Sequence, residues 1–119
     1  MARRPAAGAA TPATWARRWS AGQKQRILSS RVTGTEFLSK TLAALADPPK
    51  VLLCASAIGF YGDRGTEILT EASSPGRGFL SKVCVAWESA ASLARDRGIR
   101  VAHLRFGVVL SAFATAHAP

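Results

Sequence analysis

The chain has 119 residues, 48% hydrophobic content and a formal net charge of +9, a balance typical of a folding protein and not of a disordered one. This length leaves room for one small domain with a single core. No uninterrupted apolar run approaches the roughly 18 residues that a membrane-spanning helix needs, so no membrane partner is predicted. Cys54 and Cys84 lack metal-ligand spacing, so we predict no metal site and two buried thiols in a reducing compartment such as the cytoplasm.

The positive charge is concentrated near the N-terminus. Every charged residue before the first acid, Glu36, is an Arg or a Lys. Residues 1–17 are rich in Ala, Pro, Gly and Thr and show no apolar period, so we predict a flexible basic segment. This segment could bind phosphates, act as a mitochondrial transit peptide, or lie outside the fold. Together with Trp15 and Trp19 it supports one alternative function, a small basic nucleic-acid-binding or non-catalytic interaction module.

A helix is predicted from Ala21, with Ser20 as its N-cap. Apolar residues recur at intervals of three and four, as one buried helical face requires: Ile27, Leu28, Val32, Thr35, Leu38, Leu42 and Leu45. Gly34 and two β-branched residues weaken its middle, which allows a break within residues 29–34. The Asp-Pro-Pro of residues 47–49 ends the helical pattern.

The second half of the chain reads as strand, loop, helix and strand. Val51 to Ala55 is a continuous apolar run typical of a strand buried on both faces of a parallel sheet. Helical spacing then extends from Phe79 to a predicted C-cap at Gly98, and Ile99 to Leu104 reads as a second strand. A crossover of this length predicts a parallel pair, so the fold class is α/β, a partial parallel sheet with flanking helices.

Three segments together resemble a known family in order and spacing. They are RWSAGQKQRILSSRVTGTEFLSKTLA, CASAIGFYGDRGTEILTEASSPGRGFLSKVCVAWESAA and GIRVAHLRFGVVLS. They resemble the epimerase family proteins of the YfcH type, which are atypical extended short-chain dehydrogenases of the NAD-dependent epimerase/dehydratase superfamily. The resemblance implies a Rossmann-like fold, NAD or NADP as cofactor, a small-molecule substrate that the sequence leaves unknown, and epimerase-like or oxidoreductase-like chemistry.

Parts of that family's pattern are absent from the sequence. A full member opens with a strand and a glycine-rich turn that binds the dinucleotide pyrophosphate, and no such turn occurs here. The C-terminal region of the family also has no counterpart in the sequence. We therefore expect a fragment with a cofactor-deficient, partial NAD(P)-binding Rossmann-like domain at residues 18–111 and a flexible tail at residues 112–119. Oligomeric state is not indicated by the sequence.

Candidate catalytic residues follow the first strand. Resemblance to short-chain dehydrogenases implies a hydroxyl residue at this strand end, and Ser56 lies there within one position of the expected place. Ser56 could instead cap local backbone. Tyr61 presents a phenol near the same strand end, although an aromatic residue before glycine in a turn often only packs.

The catalytic Y-x-x-x-K helix of these dehydrogenases is altered here. The resemblance aligns Cys84 with its tyrosine and Glu88 with its lysine, and the i, i+4 spacing places both on one helical face. A carboxylate beside a thiol makes a poor proton relay, because negative charge raises a cysteine pKa. Cys84 could be a core residue and Glu88 a surface or capping acid.

Cofactor contacts are implied at the ends of both strands. The resemblance points to Ala55, Ser56 and Ala57 on the first strand. On the second strand the implied residues are Arg105, Gly107 and Val108, although Arg105 could instead form a salt bridge with Glu88 or Asp96. His103, in the middle of that strand, is interpreted as a buried imidazole and not as a base.

Overall fold

The computed structural model describes residues 18–110. Its elements, in chain order, are α1 (Ala21–Ala43), β1 (Val51–Ala57), a 3₁₀ helix (Ile58–Tyr61), α2 (Phe79–Ser89), α3 (Ser92–Asp96) and β2 (Arg100–Phe106). The predicted flexible segments at residues 1–17 and 112–119 lie outside the described residues, as does position 111 at the end of the predicted domain. None of the described helices is both long and apolar enough to cross a membrane.

Helix α1 begins at the predicted N-cap. The Ser20 hydroxyl accepts the Gln23 backbone N–H at 3.2 Å, and the Gln23 side chain accepts the Ser20 N–H at 2.9 Å, which completes a capping box. The predicted possibility of a break at residues 29–34 is wrong, because α1 is continuous. Ser29 and Ser30 donate their hydroxyls to carbonyls one turn earlier, and α1 packs against both α2 and α3. This packing outweighs the low helix propensity of its middle.

The predicted apolar face of α1 is only half-buried. Leu38 is 44% exposed, as is Leu45, which lies beyond the end of α1, whereas the fully buried residue of this helix is Ser39. The Ser39 hydroxyl accepts the backbone N–H of Ala94 at 2.8 Å, and the Thr35 hydroxyl accepts the Trp87 indole N–H at 3.0 Å. A small side chain and hydrogen bonds, more than leucine packing, therefore join α1 to α2 and α3.

The second predicted helix is divided. It is interrupted at Ala90 and Ala91, and α3 then runs only from Ser92 to Asp96. The interruption exposes the N–H groups of the first turn of α3, and Ser39 satisfies one of them. Gly98 ends the helical region as predicted: its φ is +92°, and its N–H donates to the Arg95 carbonyl at 2.9 Å.

Strands β1 and β2 form a parallel pair, as predicted, with Ser56 opposite Arg105 in register. The prediction that β1 is buried on both faces is wrong for the described residues. Cys54 and Ser56 are buried beneath the helices, but Leu53, which points to the other face, is 64% exposed. The reason is that α2 and α3 pack on one face and no described element covers the other. The buried apolar core is therefore small, comprising Cys54, Phe60, Val83, Cys84, Ala90, Ala91, Ala94 and Ile99.

Candidate active site

A polar cluster lies at the carboxyl ends of the two parallel strands, beneath α2. Ser56 near the end of β1 and Arg105 near the end of β2 are register partners, so their side chains project to the same face of the sheet. Glu88, in the last turn of α2, meets both of them. Ligand sites of open α/β sheets form at this edge, because strands end there and loops begin.

Glu88 accepts three hydrogen bonds from the strands. The Ser56 hydroxyl donates to Oε1 at 2.7 Å, the Arg105 Nε donates to Oε1 at 2.9 Å, and Nη2 donates to Oε2 at 3.0 Å. The side chain of Arg105 is 17% exposed and that of Glu88 is 14% exposed. This bidentate geometry is the strongest form of an arginine–carboxylate contact, so α2 is joined firmly to the strand ends.

Arg105 links the carboxylate to the aromatic residues of the 3₁₀ helix. Its Nη1 donates to the Tyr61 hydroxyl at 3.0 Å, and its guanidinium carbon lies 3.5 Å from the centre of the Phe60 ring. Phe60 and Tyr61 pack edge to face, with ring centres 5.4 Å apart. The guanidinium is therefore held from one side by a carboxylate and from the other by an aromatic surface. We call Ser56, Tyr61, Glu88 and Arg105 the Arg105 network.

The protonation states of this region follow from burial and hydrogen bonds. Burial by itself raises the pKa of Glu88, but the hydrogen bonds from Arg105 and Ser56 outweigh it, so the pKa of Glu88 lies below its ordinary value. The bond to Glu88 raises the pKa of Arg105 despite burial. Burial raises the pKa of the Cys84 thiol. Near neutral pH, Glu88 is thus a carboxylate and Cys84 a thiol.

The candidate catalytic residues divide into two groups. Ser56, Tyr61 and Glu88 come together in the Arg105 network. Cys84 lies beside Ser56 and the backbone of Ala57, and it is only 3% exposed. Arg105 pairs with Glu88, one of the two acids considered for it, and the Ser56 hydroxyl bonds to a side chain instead of capping local backbone.

The candidate cofactor-contact residues are less clustered. Ala55 is exposed on the face of the sheet that points away from the helices. Ala57 is half-buried at the end of β1. Gly107 follows the end of β2 close to Ile58, and Val108 is exposed beyond it. Only Ser56 and Arg105 of this group therefore belong to the Arg105 network.

Three residues that support the network were missed from the sequence. Phe60 is buried under Arg105, and the buried Ser81 of α2 donates its hydroxyl to the Gly59 carbonyl at 3.0 Å. The N–H of Gly76 donates to the Phe60 carbonyl at 2.9 Å, and a β-carbon at Gly76 would overlap the Tyr61 carbonyl. The glycine of the Ser-Pro-Gly loop was a usable signal for such a close backbone approach.

His103 lies on the same face of β2 as Arg105. Both its ring nitrogens are buried, and they have no hydrogen-bond partner within residues 18–110. Burial lowers the pKa of His103, and the nearby Arg95 and Arg105 lower it further, while Glu88 opposes them. The prediction of a buried imidazole therefore holds for the two ring nitrogens only, because the residue as a whole is half-buried, and the lowered pKa keeps the ring neutral at physiological pH.

Comparison with known proteins places this chain in a family. No protein-family model matches the chain. Over 96 residues, however, it is 47% identical to the epimerase family protein Mb2239 of Mycobacterium bovis, a match that covers 80% of this chain and 31% of that protein. A nucleoside-diphosphate sugar epimerase from Corynebacterium glutamicum superposes with a TM-score of 0.71 at 46% identity, covering 81% of this chain and 21% of that one.

A human protein gives the same result with a cofactor present. The structure of epimerase family protein SDR39U1 with NADPH matches with a TM-score of 0.73 at 31% identity, covering 81% of this chain and 32% of the human one. The fold is thus the partial α/β, Rossmann-like fold of NAD(P)-dependent epimerases. Within that class the chain belongs to the epimerase family proteins, and it spans about a third of the length of the curated relatives it matches.

The nucleic-acid-binding alternative receives no support from these relatives, none of which is named for such binding. The arginines at residues 1–17 on which it rested lie outside the described residues. The recognised family is therefore the better guide to function.

Proposed function

We propose that the Arg105 network forms the reactive end of a nucleotide-dependent site of epimerase or oxidoreductase type. The observation that carries this proposal is the fork of Arg105, which bonds Glu88 with two nitrogens and the Tyr61 hydroxyl with a third at the carboxyl ends of the strands. The epimerase relatives, one of them solved with NADPH, support a dinucleotide as the cofactor.

Tyr61 is the residue proposed to meet the substrate. Because its hydroxyl oxygen accepts a hydrogen bond from Arg105, its own proton is free to be donated to an oxygen outside the protein. Tyr61 is also half-buried, whereas Ser56 is 3% exposed. A hydroxyl donor aimed at a substrate oxygen polarises it, which is the role that such a site needs.

The other members are proposed as positioning residues. Glu88 is ionised and fixes the guanidinium of Arg105, which in turn holds the Tyr61 hydroxyl. The Ser56 hydroxyl donates its hydrogen bond to Glu88, so it supports the carboxylate and does not donate to a ligand in this arrangement. Cys84 is a buried thiol and is proposed only as packing beneath Ser56.

The residues present fit part of a dinucleotide. When bound, NAD or NADP supplies hydride exchange at its nicotinamide ring. Oε2 of Glu88 accepts one hydrogen bond and retains a lone pair for a ribose hydroxyl, and Tyr61 provides a donor. Residues 18–110 contain no glycine-rich turn for the pyrophosphate, so the nicotinamide end is the part that these residues would hold.

Dinucleotide titration of the full chain tests the proposal. We expect NADPH or NADH to bind, and Tyr61→Phe and Glu88→Gln each to weaken binding by about tenfold, the loss of one hydrogen bond to the ligand. Glu67→Gln is the matched control, because it removes an exposed carboxylate that also pairs with an arginine. Absence of binding, or equal affinity in folded Tyr61→Phe, Glu88→Gln and control variants, contradicts the proposal.

The same proposal includes a class of substrate and a cellular compartment. The substrate is a small molecule with an oxidisable or epimerisable hydroxyl-bearing carbon, consistent with the relatives' names. The titration with NADPH and NADH in parallel determines which dinucleotide is preferred. Both described cysteines are free and buried, which is typical of a reducing compartment, and we propose the cytoplasm.

A further inference from the structure

The loop that follows the 3₁₀ helix begins and ends against that helix. Residues 62–77 lead from the 3₁₀ helix to the N-cap of α2 and contain no helix or strand. Near the end of the loop the Gly76 N–H donates to the Phe60 carbonyl at 2.9 Å. The buried Ser81 hydroxyl lies 3.0 Å from the Gly59 carbonyl and 3.2 Å from the Arg77 carbonyl. Residues 62–77 therefore form a loop with closely spaced ends, as in an Ω-loop.

The guanidinium of Arg64 makes two kinds of contact inside this loop. Its Nε and Nη2 donate to the Glu67 carboxylate at 2.8 and 2.9 Å, and its Nη1 donates to the Ser74 carbonyl at 2.9 Å. The bond to Glu67 spans three residues, whereas the bond to Ser74 joins the first part of the loop to its last part. The side chain of Arg64 is 21% exposed and that of Glu67 is 50% exposed, so the carboxylate is the more solvated partner.

The segment held by Arg64, residues 74–76, contacts the Arg105 network. Gly76 approaches the backbone of Tyr61 so closely that no β-carbon fits between them. Pro75 lines a cleft of about 340 Å³ together with Phe60 and Glu88. This segment therefore lies between the Arg64 guanidinium and the residue proposed to meet the substrate.

We propose that Arg64 is a positioning residue for Tyr61 and acts through its hydrogen bond to the Ser74 carbonyl. This role rests on the proposed function, in which the Tyr61 hydroxyl meets the substrate. The backbone of Tyr61 sets the direction of its ring, and Gly76 packs directly on that backbone. Without the Arg64 bond, residues 74–76 are free to move away, and the phenol is no longer held 3.0 Å from Nη1 of Arg105. Displacement of a reacting group by about 1 Å is enough to impair a site.

The ring signals of Tyr61 test this role without any ligand. The chain contains one tyrosine, so tyrosine ring signals in an NMR spectrum of the full chain report Tyr61 alone. Arg64→Met keeps the side-chain length and removes the donors, and it should move these signals toward those of an unstructured tyrosine. Arg64→Lys retains a donor for the Ser74 carbonyl and should keep them near their wild-type positions. Glu67→Gln, which leaves the bond from Arg64 to Ser74 in place, is the matched control and should not move them.

A second signal separates local displacement from unfolding. The indole N–H of Trp87 donates to the Thr35 hydroxyl at 3.0 Å and reports the packing of α1 on α2. This signal, assigned by its loss in Trp87→Phe, should stay in place in Arg64→Met while the Tyr61 signals move.

Titration with NADPH gives the functional readout. Arg64→Met should weaken NADPH binding by about fivefold in the wild-type chain and have no further effect in Tyr61→Phe, which has no hydroxyl to position. Arg64→Lys should restore most of the affinity. Losses that add in the double variant would show that Arg64 does not act through Tyr61.

Three other outcomes overturn the proposal. The Tyr61 signals could stay in place in Arg64→Met, they could move equally in Glu67→Gln, or the Trp87 signal could move with them in Arg64→Met, which would give Arg64 a general structural role. Failure of the proposed function is distinguishable from these. If the wild-type chain does not bind NADPH, the proposed function fails, and the Tyr61 and Trp87 signals still decide whether Arg64 positions Tyr61.

Discussion

Two arginine–glutamate pairs with nearly the same geometry occur among residues 18–110, and their surroundings differ. Arg64 bonds Glu67 at 2.8 and 2.9 Å, three residues along the chain, and Glu67 is half-exposed. Arg105 bonds Glu88 at 2.9 and 3.0 Å across two elements, with both side chains largely shielded.

The comparison shows that bond lengths alone do not indicate the importance of an ion pair. The Arg64–Glu67 pair closes a local turn in water, where solvent screens it and side-chain entropy opposes it. The Arg105–Glu88 pair joins β2 to α2 and includes Ser56 and Tyr61, so losing one member leaves a shielded charge without its partner. Substitutions at the two pairs should therefore differ strongly.

The largest difference is expected from removing the carboxylates. Glu88→Ala should lower the free energy of unfolding by about 3 kcal/mol, since it leaves the Arg105 guanidinium shielded and unpaired. Urea denaturation followed by circular dichroism measures this change. Glu67→Ala is the matched control and should leave the midpoint unchanged. Equal midpoints for the two variants would show that the pairs are energetically equivalent.

The next effect concerns the aromatic surface under Arg105. Phe60→Leu should lower the free energy of unfolding by about 2 kcal/mol, because it removes both ring packing and the cation–π contact. The same urea denaturation measures it. Phe37→Leu, at an exposed position of α1, serves as control and should have no effect. If Phe60→Leu behaves like Phe37→Leu, the ring is not a support for the guanidinium.

Acid should distinguish the two carboxylates. Because the pKa of Glu88 is lowered in the folded protein, its contribution to stability is present above the ordinary pKa of 4.5 and is lost as pH falls through the lower, folded value. Glu88→Gln should therefore flatten the stability profile below about pH 4.5.

Glu67→Gln provides the comparison. Arg64 also lowers the pKa of Glu67, but that pair is open to solvent and its effect on stability is screened. Its acid profile should therefore follow that of the wild type. Thermal unfolding between pH 3 and pH 6, roughly the carboxylate range, measures how stability changes with pH in each variant. If stability depended less on pH in Glu67→Gln than in Glu88→Gln, the exposed pair and not the shielded one would govern acid stability.

The smallest effect is expected at His103, which neighbours the buried pair. Its pKa is lowered on folding, so below the ordinary value of 6.5 the unfolded chain binds a proton that the folded one does not, and stability falls. His103→Leu should reduce that fall between about pH 7 and pH 5. Thermal unfolding at those pH values measures it, and an unchanged slope would mean that His103 protonates equally in both states.

Local chemistry made several features predictable from the sequence. Ser20 with Gln23 three residues later is a capping box, and Gly98 supplies the positive φ that ends a helix. The apolar strand followed by a long crossover required a parallel pair. Ser56, Glu88 and Arg105 could be selected individually because the resemblance to short-chain dehydrogenases implies functional residues at these positions, and Tyr61 because it lies near the end of the first strand.

Other features depended on contacts between distant residues. Leu38 has the apolar character of a core residue, but Ser39 is the one buried, because α3 approaches that side of α1 and offers it an N–H. Helix α1 has no break, because its packing partners outweigh propensity. The prediction that β1 is buried on both faces was also wrong, since the burial of a strand face depends on which elements cover it and not on the strand's own residues.

The sequence by itself therefore determined the coarse order of helix, strand, helical region and strand and the parallel pairing, because these follow from periodicity and local hydrogen bonding, and the resemblance to a known family pointed to the polar residues at the strand ends. The tertiary structure alone decided that Glu88 faces Arg105 and Ser56, that Phe60 supports the guanidinium, and that Trp19 and Lys24 meet the start of α2. Such contacts join residues far apart in the chain, and their strength depends on burial, which no local pattern specifies.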